Sequence, residues 1–175
     1  MLLGLPCAPQ GVGPWGLFDP LGLVDDYNAE QIVMWREAEL IHGRVAMMAS
    51  VGFLVQEAFH PIFPAANGPA ARQLDQVLST EIGQLGGSIL LLAIFFSEIW
   101  RARVGWKEPE VETWALRSNY KMGDLGFDPL GYSAKMDQTA FLAMQNKELN
   151  NGRLAMIGVA GMTAQELVSD APIFA

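Results

Sequence analysis

Two six-residue clusters carry charge and donor atoms into otherwise apolar stretches, Glu39-Leu40-Ile41-His42-Gly43-Arg44 and Glu148-Leu149-Asn150-Asn151-Gly152-Arg153. Each offers a carboxylate, an imidazole or amide donor three residues on, and a guanidinium two residues later. Each leads into twelve residues without a charge, Val45 to Gln56 and Leu154 to Gln165. On a helix, Glu39 and Arg44 stand about 140° apart and cannot easily satisfy each other, and the same holds for Glu148 and Arg153. Ionisable groups close to a bilayer core are costly unless paired or functional. The expectation is therefore a reciprocal arrangement of two crossed helices, Glu39 with Arg153 and Glu148 with Arg44. Small residues at Gly43, Ala46, Ser50, Gly152 and Ala155 would allow the close crossing.

The remaining polar groups repeat one interval. His42 and Gln56, Asn151 and Gln165, and Gln84 and Glu98 are each fourteen residues apart. That spacing advances a helix by about 21 Å and returns within about 40° of the same face. A single His or Gln in a helix is ordinarily a hydrogen-bonded packing residue, but three segments with the same interval point to ligands. Imidazole nitrogen, amide oxygen and ion-paired carboxylate oxygen are single axial donors, and they are not gathered in threes and fours as a zinc or calcium cage requires. One donor per metal means that the metal brings its own equatorial ligands. A magnesium tetrapyrrole fits that description, whereas haem favours His or Met pairs. Glu98 has Arg101 three residues later as a local partner.

These residues must be positioned by helices. Ile82 to Ser97 is sixteen residues without a charge and, with its flanks, approaches the roughly 20 residues that a bilayer needs. The other two segments are copies of each other. A shift of 109 positions aligns Phe18-Asp19-Pro20-Leu21-Gly22 with Phe127-Asp128-Pro129-Leu130-Gly131 and, without a gap, Glu39 with Glu148 and Arg44 with Arg153. There are 14 identities in the 42 positions from Leu17 to Ala58. The expected fold class is an all-α membrane protein with three transmembrane helices. Its first and third helices would be related by the internal repeat and cross as a pseudo-two-fold pair. Residues 1–175 form one domain on this reading, with repeat units at about 17–58 and 126–167 and the inserted middle helix at about 80–102. Arg101, Arg103, Lys107, Arg117 and Lys121 follow the middle helix, while only Arg72 precedes it between Phe59 and Leu78. The positive-inside rule then puts the N-terminus on the side of the long connection and the C-terminus opposite.

Composition agrees with a membrane protein and excludes several classes. Charged residues make up 17% of 175, below the roughly 25% of ordinary globular chains, and the mean hydropathy is +0.21. A net charge of −8 gives no footprint for nucleic-acid phosphates. Cys7, the single cysteine, cannot form an intrachain disulfide. No targeting peptide is visible before Asp26. Gly11-Val12-Gly13 is too short for a nucleotide loop. With only His42 and His60 in the chain there is no Ser/His/Asp or Cys/His constellation, so no enzyme is expected.

The motif Glu-x-x-His/Asn-Gly-Arg, present twice, and the two Asp-Pro-Leu-Gly turns make residues 16 to 166 resemble the three-helix light-harvesting chlorophyll-binding superfamily. The resemblance implies that Glu39, His42, Glu148, Asn151 and Gln165 are axial ligands to chlorophyll magnesium. It places middle-helix ligands at Gln84 and Glu98, and the internal repeat adds Gln56. It also sets Asp19 and Asp128 beside carotenoid end groups, although a pre-proline Asp is equally a plain helix-entry residue. His60 is a further candidate, against an ordinary capping role. The short stretch after the third helix is similar to the algal chlorophyll a/c branch, of fucoxanthin or peridinin type, or to red-lineage antennae. The cofactors implied are chlorophyll a, a second chlorophyll such as chlorophyll c, and xanthophyll carotenoids. The partners implied are photosystem core subunits, other antenna subunits and thylakoid lipids. The N-terminus would be stromal and the C-terminus lumenal in the plastid. Rival readings are a photoprotective quencher, with Glu57, Asp75, Glu166 and Asp170 as lumenal acid sensors or as ordinary solvated charges, and a proton-coupled transporter.

Overall fold

The computed structural model describes residues 21–22, 27–59, 61, 63, 66, 68–110 and 115–173. Asp19 and His60 lie outside them. Among the described residues five helices follow in order: α1 Ala29–Ala58, α2 Ala70–Leu78, α3 Glu81–Gly105, α4 Tyr132–Lys135 and α5 Gln138–Ser169. Among the described residues the only strand-like pairing is one antiparallel bridge, Trp106 with Leu116.

The helix starts are written into the sequence. Asn28 and Gln31 form a reciprocal capping box: the Gln31 N–H donates to Asn28 Oδ1 at 2.9 Å, and the Asn28 N–H donates to Gln31 Oε1 at 3.0 Å. Thr80 caps α3 by accepting the Gly83 N–H at 3.1 Å. Asp137 accepts the Thr139 N–H at 2.6 Å before α5. Asp128 takes the Tyr132 and Ser133 N–H groups at 3.0 and 2.8 Å, starting α4.

At 30, 25 and 32 residues, α1, α3 and α5 are about 45, 37 and 48 Å long, each more than the roughly 30 Å of a hydrocarbon core. Among the described residues, α1 over Glu30–Ala58 and α3 over Glu81–Gly105 are long and apolar enough to cross a membrane. α5 has the length, but Asn150, Asn151, Arg153, Gln165 and Glu166 dilute its apolar character. The middle helix ends three residues beyond its expected limit, at Gly105. Tyr120 packs against that glycine, and a Cβ there would meet its ring at 3.2 Å. α2 was not expected from the sequence.

The chain divides into two compact units. The first comprises Met1–Ile41 and Arg101–Asn151. Its centre is Leu40, Met122 and Leu149, with Val33 against them. Glu37, 3% exposed, accepts the Tyr120 hydroxyl at 2.9 Å and the Gly123 N–H at 2.8 Å, which ties the 120–123 segment to α1. The second unit comprises His42–Trp100 and Gly152–Ala175. Here α1 and α5 approach each other at Gly43 and Gly152, the residues that the 109-position shift aligns. Apart from these contacts the long helices turn apolar side chains outward, among them Val51, Ile89, Leu91, Phe95, Leu154 and Ile157. Water does not tolerate so continuous an apolar surface, and a lipid or pigment environment does.

Candidate functional site

The α1 motif lies where the helix passes from the first unit into the second. Glu39 is half-buried, and its Oε2 accepts a charge-assisted hydrogen bond from Arg36 Nη1 at 2.7 Å, one turn earlier on the same helix. His42 is exposed and Arg44 half-buried. On α5 the aligned residues have similar burial: Glu148 and Arg153 are half-buried and Asn151 is exposed. Position 145, which aligns with Arg36, holds a glutamine whose buried Oε1 has no hydrogen-bond partner among the described residues. Sequence reasoning had passed over Arg36, although the three-residue separation is the standard signal for such a pair.

The distal donors differ from each other. Gln165 is exposed on α5. Gln56 is half-buried, and its Nε2 donates to the Ala70 carbonyl at 2.8 Å, which turns its amide toward α2. On α3, Gln84 and Glu98 are both exposed, and Arg101 is half-buried at the last turns. Asp128 is exposed, and its carboxylate is occupied as the cap of α4, with Oδ2 also accepting the Ser133 hydroxyl. Those bonds, the hydroxyl foremost, hold its pKa below the ordinary aspartate value.

The far ends of α1 and α5, in the second unit, carry a reciprocal tie that the sequence did not show. Glu57 at the end of α1 accepts the N–H of Ile173, in the segment after α5, at 2.9 and 3.1 Å. Glu166 at the end of α5 accepts the N–H groups of Ala70 and Ala71, the first residues of the helix after α1, at 3.1 and 2.8 Å. Arg72 of α2 pairs with Asp170 at 2.6 Å. Glu166 is therefore not a solvated charge: it is 1% exposed and caps α2 from another helix. Asp75 is exposed, in keeping with the plain reading.

The donors suit a metal whose other ligands lie in a flat macrocycle. His42, Gln84, Glu98, Asn151 and Gln165 all emerge at exposed positions on helices whose neighbouring side chains are exposed and apolar, such as Val45, Leu85 and Leu154. Imidazole, amide and carboxylate are all donors that magnesium accepts.

The model of the chlorophyll a-b binding protein family matches residues 6–167. This chain belongs to that family. It is 46% identical over 165 residues to a fucoxanthin-chlorophyll a-c binding protein of Isochrysis galbana, covering 92% of this chain and 76% of that protein. It is 43% identical over 166 residues to the light-harvesting complex stress-related protein 3.2 of Chlamydomonas reinhardtii, covering 91% of this chain and 62% of that one. Fucoxanthin-chlorophyll a-c binding protein D of Phaeodactylum tricornutum is 30% identical over 161 residues, at 87% and 75% coverage. The chain thus sits in the algal branch of the light-harvesting superfamily and spans under two thirds of the stress-related relative's length.

Proposed function

We propose that the chain is a light-harvesting antenna subunit of the plastid thylakoid membrane that binds chlorophyll a, a c-type chlorophyll and xanthophylls and passes excitation to a photosystem. Bound pigments supply the chemistry, which is light absorption and energy transfer. The chain holds and spaces them. Glu39, His42, Gln84, Glu98, Glu148, Asn151 and Gln165 would hold the chlorophyll magnesium ions, with Gln56 as the repeat counterpart of Gln165. Arg153 and Arg44 neutralise Glu39 and Glu148 across a pseudo-two-fold crossing, because the five-residue spacing lets neither glutamate reach the arginine of its own motif, and at Glu39 Arg153 acts in addition to Arg36. Arg101 serves Glu98. α1, α3 and α5 each cross the membrane, with the basic segment after α3 on the stromal side together with the N-terminus, and the C-terminus in the lumen. Asp19 and Asp128 lie beside carotenoid end groups. Photosystem core subunits, other antenna subunits and thylakoid lipids are its partners, and no reaction is catalysed.

One observation carries this reading: single magnesium-competent donors recur at fourteen-residue intervals on exposed apolar helices of a chain from this family. The visible absorption spectrum and the solvent-extracted pigments of the purified protein test it. Several chlorophylls and at least one carotenoid per chain are expected. A stoichiometric preparation without tetrapyrrole overturns it, as the transporter alternative requires. The 43% identity to a stress-related protein favours a second reading, a dissipating relative. Chlorophyll fluorescence yield of the isolated protein against pH separates the two: a constant yield supports harvesting, and a yield that collapses in acid supports dissipation.

A further inference from the structure

The two motif copies are not electrostatically equivalent. Glu39 has a guanidinium within its own helix, with Arg36 Nη1 at 2.7 Å from its Oε2 and both side chains largely shielded from solvent, 16% and 27% exposed. In α5 the residues one turn either side of Glu148 are Met144, Gln145, Asn151 and Gly152, and none is basic. No residue one turn from Glu148 can therefore serve it as Arg36 serves Glu39. The amide at position 145 does not substitute, because it is neutral and cannot cancel a carboxylate charge, and its buried oxygen has no hydrogen-bond partner among the described residues.

From this contrast we infer that Arg36 is a positioning residue for the pigment held by Glu39, and that the aligned site at Glu148 lacks any such device. This rests on the reading of both glutamates as magnesium ligands. A carboxylate has about four lone-pair positions, so one guanidinium bond fixes its rotation and still leaves capacity for a metal. It also cancels the charge that would otherwise have to be carried in low dielectric. Glu39 is thereby presented as a ligand in one fixed orientation, whichever residues reach it from other helices. Glu148 has no arginine at the corresponding place one turn earlier. The same motif therefore builds a pigment site braced by a local arginine on α1 and one without that brace on α5. Their absorption bands differ, and so does their sensitivity to loss of the arginine on the opposite helix.

The test uses the full chain, assembled with chlorophylls and carotenoids. Glu39→Leu and Glu148→Leu first assign the two absorption bands by difference spectra. Arg36→Gln, which copies position 145, is expected to keep the pigment count, move the Glu39 band and speed release of that pigment on warming about tenfold. Arg36→Lys should restore most of both. Arg153→Leu should loosen the Glu39 pigment without removing it, and adding Arg36→Gln should remove it, whereas Arg44→Leu alone should remove the Glu148 pigment. If Arg36→Gln does not assemble, Gln145→Arg decides: it should slow release of the Glu148 pigment about tenfold. Unchanged bands and release rates in Arg36→Gln or Gln145→Arg, with Glu39→Leu still removing a pigment, overturn the role of Arg36 and leave the ligand assignment standing. If Glu39→Leu itself removes no pigment, the ligand assignment fails, and the role of Arg36 with it.

Discussion

A Cβ on Gly43 would stand 3.0 Å from the Cα of Gly152, and a Cβ on Gly152 would stand 3.0 Å from the Cα of Gly43. Both obstacles are backbone, so neither can give way as a flexible side-chain tip would. Gly43→Ala and Gly152→Ala should each destabilise the helix pair by about 1–3 kcal/mol, as overpacking does. Gly158, on the same helix as Gly152, has open space around it. Gly158→Ala should be neutral or gain up to about 1 kcal/mol from helix propensity. Thermal loss of helical circular dichroism checks the contrast, and equal tolerance of all three changes would show that the crossing is not set by these glycines.

The glycine pair was legible in the sequence because the copies align without a gap, and because a charged motif beside an apolar run leaves few readings. What remained hidden has a common cause. Glu37 and Glu166 look like solvated carboxylates, and their burial is decided by backbone N–H groups 86 and 96 residues away. Local pattern cannot report a partner at that range. α2 was hidden by its length: Ala70, Leu74, Val77 and Leu78 are spaced as an apolar stripe, but over only nine residues, between two much longer helices. Arg36 is different, since its partner lies three residues off.

Glu166 is expected to hold α2 in place through its two oxygens, each of which takes one backbone N–H. Glu166→Gln keeps the volume but turns an amide NH2 toward one of two donors, leaving an N–H unsatisfied at a cost of about 1–3 kcal/mol. Hydrogen exchange at the Ala70 and Ala71 amides should accelerate, while exchange in the middle of α3 stays as it was. Equal protection in the variant would mean that α2 is held by other contacts.

Tyr120 and Gly123 both donate to Glu37, so the segment after the Trp106–Leu116 bridge is docked onto α1 by one carboxylate. Tyr120→Phe should cost about 1 kcal/mol, and Glu37→Ala more, because two donors lose a charged acceptor. The double variant should cost less than the sum, because the hydroxyl bond is counted in both single changes. Strict additivity in a thermal-unfolding cycle would argue against the shared bond.

Acid should loosen two caps before it affects the long helices. Asp128 has its pKa lowered chiefly by the Ser133 hydroxyl bond and then by the Ser133 N–H, and Asp137 by the hydroxyl and N–H of Thr139. A carboxylate with a folded pKa below its unfolded value stabilises the fold above the unfolded value, near 3.8, and that contribution fades as pH falls through the folded pKa. Between pH 7 and about 4.5 the caps should therefore persist, and below about 3.8 the first turns of α4 and α5 should exchange faster. Asp137→Asn should remove most of this dependence at Thr139. Fraying at neutral pH, or none in strong acid, would contradict it.

His42 is exposed on α1, three residues from Glu39 and outside the arginine–glutamate pairs proposed for the crossing. Its removal should therefore separate ligation from assembly. His42→Leu takes away an imidazole nitrogen and leaves an apolar side chain on a face already crowded with apolar neighbours such as Val45. The helix pair should assemble, and the extract should contain one chlorophyll fewer per chain with carotenoid retained. His42→Asn recreates the donor found at Asn151, the aligned position, and an amide oxygen still serves magnesium. It should recover that pigment at least in part, with a shifted band. A full pigment complement and an unaltered spectrum in His42→Leu would make His42 a packing residue. If His42→Leu fails to assemble and His42→Asn assembles normally, that pigment is required to bring α1 and α5 together.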